Sequence, residues 1–278
     1  MDEDTFNELT KKRAVYHIPR MEQVTVRKDI TYKTVDDSEL KLDVYYPSDY
    51  EGEILLPAVI FIHGDGPPDF LKDAKDWGCY VSWGQLIAAS GLIAVTFNHR
   101  STEQLIMLYE AAHDVDDLIR YVRDNSESLG IDANTLGIWT CSAGSPLGFR
   151  SALRGTLQYV RCIISYYGIT DLKVYYDGSE QTPPILSNEV FDEFSASAYL
   201  DKEPGNIAPM LIVRAGLDHP KLNASIDRLL TAAIAKNVTI DFMNHPTGHH
   251  AFDIDDNNAR SREIIRATLE FVKTHLTI

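Results

Sequence analysis

Residues 136–145 read Leu136-Gly137-Ile138-Trp139-Thr140-Cys141-Ser142-Ala143-Gly144-Ser145, an apolar run that narrows to small residues around one serine and then turns helical in pattern. Strand, sharp turn, helix is the local geometry that lifts a hydroxyl clear of a sheet and sets it beside free backbone N–H groups. A serine hydroxyl is a weak nucleophile and needs that setting, with a base in reach and donors for the oxyanion. At such an apex the residues two before and two after the serine nearly touch, so small side chains are favoured there. This chain has Thr140 and Gly144 at those positions. Placing Cys141 at the apex would put Trp139 in the crowded position, where it cannot pack across the bend, so the register favours Ser142 over the thiol.

Outward from this turn, strand-like and helix-like periodicities alternate. Strands are expected at 58–63, 92–98, 160–166, 210–215 and 238–243, and helices at 84–90, 111–128, 144–153, 222–236 and 258–275. The helix over 111–128 places Val115, Leu118, Ile119 and Val122 on one face. Alternation of this kind predicts an α/β fold, a mostly parallel central sheet of about eight strands with helices on both faces. Residues 24–35 and 40–46 alternate instead about Asp36-Asp37-Ser38-Glu39, which reads as an antiparallel hairpin at the sheet edge. The connection from Asp171 to Ala208 is far longer than an ordinary αβ link and carries Pro183-Pro184, Pro204-Gly205 and several aromatics. Residues 172–208 are therefore expected to form a small cap on a single domain spanning 1–278, with a packed surface excursion as the alternative.

The chain has 278 residues, 44% of them hydrophobic, and no apolar run long enough to span a membrane. Its formal charge of −15, from 26 basic against 41 acidic residues, argues against nucleic acid and favours neutral or apolar small molecules. Three cysteines, Cys79, Cys141 and Cys162, stand among apolar neighbours with no zinc spacing, and no export signal is visible, so free thiols in the cytoplasm are expected. No membrane partner is expected, and a homodimer is open.

A serine nucleophile needs an imidazole to take its proton and a carboxylate to orient that imidazole. The strand 210–215 ends in Gly216-Leu217-Asp218, which puts Asp218 at the carboxyl end of the sheet, where open parallel sheets build their sites. After the last strand comes Gly248-His249-His250-Ala251-Phe252, a glycine-flanked loop before the closing helix, and one of its two histidines is the base. His17, His113, His219, His245 and His275 are read as structural or solvated. The carboxylates Asp253, Asp255 and Asp256 near the histidine pair read as helix N-terminal capping rather than as a metal cluster, and no metal or other cofactor is expected. After the strand at 58–63 comes His63-Gly64-Asp65-Gly66, whose N–H groups at Gly64, Asp65 and Gly66, with that of Ala143, would form an oxyanion hole. A carboxylate aimed at an oxyanion would oppose catalysis, so the Asp65 side chain must face away. Trp77, Tyr80, Trp83 and Tyr167 are candidate pocket residues, with core packing as the alternative for the aromatics of the loop 67–82.

Taken together, His63-Gly64-Asp65-Gly66, Leu129-Gly130-Ile131-Asp132, Ala215-Gly216-Leu217-Asp218 and Gly248-His249-His250-Ala251-Phe252 resemble the α/β-hydrolase superfamily, and within it the dienelactone-hydrolase-like and acetyl-esterase-like members. The resemblance runs from about Val24 to the end of the chain, and the chain order serine, aspartate, histidine is the one expected of that superfamily. It implies an α/β-hydrolase fold and selects His250, two residues after the glycine, over His249. It also implies a serine carboxylesterase that cleaves small neutral or apolar esters through an acyl-enzyme. Two departures from the family pattern are Thr140 and Asp65, each standing for glycine. The other readings are a lactone or thioester hydrolase of the dienelactone hydrolase type, and a hydrolase-like binding protein in which those two residues have spoiled the chemistry.

Overall fold

In a computed structural model, which describes residues 8–154, 158–177, 186–202 and 207–277, eight strands form one sheet. They are β1 (Thr25–Val35), β2 (Ser38–Tyr46), β3 (Leu56–Ile62), β4 (Ile93–Phe97), β5 (Ile131–Cys141), β6 (Val160–Tyr166), β7 (Met210–Ala215) and β8 (Ile240–His245), in the order β1-β2-β4-β3-β5-β6-β7-β8. The first pairs, β1 with β2 and β2 with β4, are antiparallel, and the rest are parallel. The hairpin is tighter than its sequence suggests: Val35 pairs with Ser38, leaving Asp36 and Asp37 alone in the turn with φ of 47° and 63°. Both positive angles suit the two-residue turn that matches strand twist, and aspartate is among the few side chains that tolerate them.

The helices that bear on the site are α1 (Gly78–Ala89), α2 (Leu108–Asp124), α3 (Ser145–Leu153), α4 (Leu172–Tyr176), α5 (Asn188–Glu193), α6 (Ala196–Asp201), α7 (Pro220–Ala235), α8 (Phe252–Asp255) and α9 (Ala259–Leu276). Strands β3 and β4 are buried nearly throughout, as strands covered on both faces must be. Helix α2 buries Val115, Leu118, Ile119 and Val122 on its inner stripe. Helix α9 starts where Asn258 accepts a hydrogen bond from the Ser261 N–H. The sequence places α1 six residues too late, because Tyr80, Val81 and Trp83 read locally as loop residues; packing of Tyr80, Trp83, Leu86 and Ile87 against the sheet makes them helical.

Within the described part of 172–208 lie α4, α5 and α6, while Pro183-Pro184 and Pro204-Gly205 fall outside the described residues. This segment is tied down by ions rather than by apolar area alone. Buried Arg150 on α3 donates to Asp116 Oδ2 on α2 and to Glu193 Oε1 on α5, both at 2.8 Å. Glu193 also accepts from the Tyr109 hydroxyl at 2.8 Å.

A second ionic cluster fixes the approach to α1. Lys75, buried with its ammonium 2.9 Å from Asp29, 3.0 Å from Asp43 and 2.7 Å from Asp76, serves the fully buried Asp43 carboxylate on β2. Its backbone N–H donates to Asn98 Oδ1, and Asn98 in turn donates to Lys72 O, so the segment is stitched to the end of β4. Replacing Lys75 by Met leaves the Asp43 charge without its main partner. We expect Lys75→Met to cost about 3–5 kcal/mol of stability in urea unfolding, since one member of a buried pair is then uncompensated.

Candidate active site

Ser142 follows β5 with φ of 51°, a left-handed conformation that a non-glycine residue holds only when its surroundings impose it. The imposition is visible on both sides. A Cβ on Gly144 would lie 2.2 Å from the His63 carbonyl oxygen at the end of β3, and a Cβ on Gly64 would lie 3.3 Å from Ser142 Cβ. Glycine at 144 and 64 thus lets the two loops close over one another. Thr140, the residue that departs from the family pattern, is accommodated by the helix after the elbow. A Cβ on Gly148 of α3 would sit 3.0 Å from Thr140 Cβ, so the missing side chain at 148 supplies the room that a glycine at 140 would have given.

The structure brings Ser142, Asp218 and His250 together. His250 Nε2 lies 3.0 Å from Ser142 Oγ, and His250 Nδ1 lies 2.6 Å from Asp218 Oδ2. Asp218 accepts at both oxygens, the second from the His219 N–H at 2.6 Å. An ionised carboxylate only accepts, so the imidazole donates from Nδ1 and presents its Nε2 lone pair to the serine. Gly216 and Gly248 make this approach possible, since a Cβ on either would lie within 2.6 Å of Pro246 or His245. His249 points elsewhere: its ring and N–H both engage Asp256. Cys141 is buried with its thiol pushed up to about 12 by burial, which keeps it protonated and unreactive.

The turn 63–66 is built by a stacked histidine pair. His63 and His99, both buried, lie with ring centroids 3.6 Å apart and planes at 6°. His63 Nδ1 donates to Gly64 O at 2.7 Å, which orients the peptide whose N–H belongs to Asp65, and His63 Nε2 accepts from the His99 N–H at 3.3 Å. The Gly64 N–H, expected to face an oxyanion, instead donates to the Tyr80 hydroxyl at 3.1 Å. Of the residues expected to supply the oxyanion donors, Asp65, Gly66 and Ala143 all line the cleft. The Asp65 carboxylate does face away, toward the loop after β4.

The cleft has a volume of about 970 Å³ and is walled by Leu105, Ile106, Ile169, Tyr175 and Tyr176, with Glu103, Gln104, His219 and Lys221 at its polar margin. The aromatics expected to line it do other work, which corrects that part of the sequence reading. Trp83 is a core residue on α1, Tyr80 holds the Gly64 N–H, and Trp77 precedes α1 with its ring 6.3 Å from that of Tyr80. Tyr167 backs the imidazole at 4.7 Å between ring centroids and donates its hydroxyl to Asp253 at 2.6 Å. Asp253, read from sequence as a solvated cap, is buried; it also accepts from Trp83 Nε1 at 2.8 Å, and burial raises its pKa. The sequence reading missed the loop 101–106 and this buried carboxylate, because neither has a local signal. His219, read as structural or solvated, lies on the margin of the cleft and caps α7 through the Lys221 N–H. Among the described residues, no helix is long and apolar enough to cross a membrane, and no group of three or more His, Cys, Asp or Glu could hold a metal ion.

Residues 42–219, well over half of the chain, match the BD-FAE family. The chain belongs to the BD-FAE family. This is a family of α/β-hydrolase esterases, and the match spans β2 to the loop after β7, including Ser142 and Asp218. No match was found among curated proteins. Among solved structures, this BD-FAE chain is similar to a thermophilic esterase, Est2, from the Planctomycetes species Thermogutta terrifontis with butyrate bound, at 18% identity and TM-score 0.69 over 94% of this chain and 98% of that one. It is also similar to the same esterase phosphoramylated by tabun, at 18% identity and TM-score 0.65 over 92% and 94%. Esterase B from Lactobacillus Rhamnosis matches at 16% identity and TM-score 0.71 over 93% and 87%. These likenesses carry the α/β-hydrolase fold.

Two outcomes follow from this packing. Gly148→Ala forces a methyl group against Thr140, so it should destabilise by about 1–3 kcal/mol in the parent chain. In a Thr140→Gly background the same change should cost measurably less, with a coupling of about 0.5–3 kcal/mol in a double-mutant cycle. Burial holds His63 and His99 neutral, lowering both pKa values. The unfolded chain, whose imidazoles titrate near about 6.5, therefore binds more protons at acid pH. The stability this pair contributes is present above that value and lost as the pH falls below it. Thermal unfolding between pH 7.5 and 5 should show a falling midpoint, with a shallower slope in His99→Phe.

Proposed function

We propose that this protein is a serine carboxylesterase acting on small neutral or apolar esters, with Ser142 as nucleophile, His250 as general base and acid, and Asp218 as the orienting carboxylate. The observation that carries the reading is the continuous line from Asp218 Oδ2 through His250 to Ser142 Oγ, at 2.6 and 3.0 Å, ending on a serine with left-handed backbone. In the acylation step, Ser142 Oγ bonds to the ester carbonyl carbon while its proton passes to His250 Nε2. The carbonyl oxygen becomes an oxyanion facing the N–H groups of Ala143, Asp65 and Gly66. Collapse expels the alcohol, which takes the proton from His250, and water then repeats the sequence on the acyl-enzyme to release the acid. The imidazolium formed on the way is stabilised by the Asp218 carboxylate.

Family membership supports this reading, and so does the behaviour of the similar Thermogutta esterase, which is phosphorylated by paraoxon and phosphonylated by sarin. Organophosphates of this kind report an activated hydroxyl. The cleft is large and mixed in character, which suits an ester with an apolar limb. We read the chain as one domain in which the described part of 172–208 caps the cleft through Tyr175 and Tyr176. Its three cysteines are free thiols, which suits the reducing cytoplasm.

A fluorophosphonate probe should label the protein at Ser142, and Ser142→Ala should abolish labelling and lower turnover of p-nitrophenyl acetate by at least about 10⁴-fold while leaving the unfolding midpoint unchanged. His250→Ala should be comparably inactive and His249→Ala should keep most activity. Retained turnover in Ser142→Ala, or loss confined to His249→Ala, would reject the assignment.

A further inference from the structure

The loop after β4 contains three successive residues in left-handed backbone, Glu103, Gln104 and Leu105, with φ of 46°, 61° and 69°. Each such residue is unfavourable because its Cβ crowds the following carbonyl oxygen, and none of the three is a glycine, asparagine or aspartate that tolerates it. The stretch Ser101-Thr102-Glu103-Gln104-Leu105-Ile106 will not form this turn by itself. Asp65 supplies the missing cause. Its Oδ1 accepts from the Thr102 N–H at 2.9 Å, and its Oδ2 accepts from Thr102 Oγ1 at 2.6 Å and from the Gln104 N–H at 3.0 Å. Ser101 Oγ lies between Asp65 Oδ1 at 2.9 Å and Gly66 O at 2.7 Å, so its one proton serves the same turn either way. The carboxylate also sets the Thr102 hydroxyl as donor, leaving its lone pair to accept the Leu105 N–H at 3.1 Å.

What this clamp shapes is the cleft. Residues 101 and 103–106 line it on one side, with Ile106 40% exposed, and the Gln104 carbonyl accepts from the Tyr176 hydroxyl of α4 at 3.2 Å across the opening. We infer that the Asp65 side chain is a positioning residue: it moulds the 101–106 wall and so sets which esters, by length, the cleft holds. The inference rests on the esterase reading above and adds its determinant of substrate size. An aspartate where the family pattern has glycine is then a gain of structure rather than a damaged oxyanion turn, because its charge is spent on the loop.

Asp65→Asn tests this with almost no change in volume. An amide in either orientation turns an NH₂ toward a backbone N–H, Thr102 on one side or Gln104 on the other, so one bond must fail. We expect amide hydrogen exchange at Thr102 or Gln104 to speed up about tenfold or more. KM should rise about fivefold or more for whichever of p-nitrophenyl octanoate (long acyl) and 1-naphthyl acetate (bulky alcohol) lies along the wall. KM for p-nitrophenyl acetate should rise by a smaller factor, and kcat for the long ester should fall less than its KM rises. Thr102→Val, which keeps Asp65, should move exchange and KM in the same direction and serves if the Asp65 variants fold poorly. Unchanged exchange and KM would overturn the inference. So would an equal loss of kcat on all three esters with KM unmoved, since that would place Asp65 in the chemistry. If the parent protein is not labelled by a fluorophosphonate, the esterase reading fails instead, and the exchange measurement alone still decides whether Asp65 holds the wall.

Discussion

The arrangement depends on one close approach, the passage of Gly144 beneath the His63 carbonyl. Strands β3 and β5 are parallel neighbours, paired from Ala58 with Leu136 to Ile62 with Thr140, so their carboxyl ends leave the sheet side by side. Only a residue without a side chain at 144 lets the two exits meet, and that meeting holds Ser142 in its left-handed conformation. Everything else in the cleft is placed relative to this contact. Thr140 and Gly148 settle the space behind the serine, Tyr80 and His63 fix the turn in front of it, and β7 and β8 deliver Asp218 and His250 from the far side of the sheet.

Much of this was legible in the sequence, for a specific reason. In a parallel sheet the residues just beyond strand ends share one edge, so a strand pattern followed by Gly-x-Asp or Gly-His-His already localises a side chain in space. Ser142, Asp218 and the pair His249-His250 could be located on that basis, the family resemblance selected His250, and the chain order serine, aspartate, histidine narrowed the architecture. The hairpin was readable from the run Asp36-Asp37-Ser38-Glu39 because turn chemistry is local, although the structure confines the turn to its first two residues. The early start of α1 was not, because the aromatic residues at 80 and 83 gain helical conformation from tertiary packing rather than from propensity.

Roles that depend on pairing across long stretches of chain were also hidden. Asp65 could be inferred to turn away from an oxyanion, but its partners lie 36 to 39 residues on, in a loop whose left-handed positions carry no glycine, asparagine or aspartate to betray its conformation. Asp253 looked like an ordinary helix cap because it precedes an acidic, solvated stretch. In the fold it is buried beneath Tyr167 and Trp83. In both cases a carboxylate that reads as surface chemistry is spent inside the fold, Asp65 on the backbone of a loop and Asp253 on the side chains of Tyr167 and Trp83, and its value lies in geometry more than in charge–charge attraction.

The tryptophans give the molecule a built-in optical gauge. Trp83 and Trp139 have ring centroids 5.4 Å apart in a buried cluster of tilted and edge-on rings with Phe61 and Tyr166, and the indole N–H of Trp83 ends on the carboxylate that also accepts from the Tyr167 hydroxyl. Loosening of the histidine-bearing loop changes the surroundings of that indole, so intrinsic emission, with no added dye, registers the packing behind His250 as well as the melting of the core.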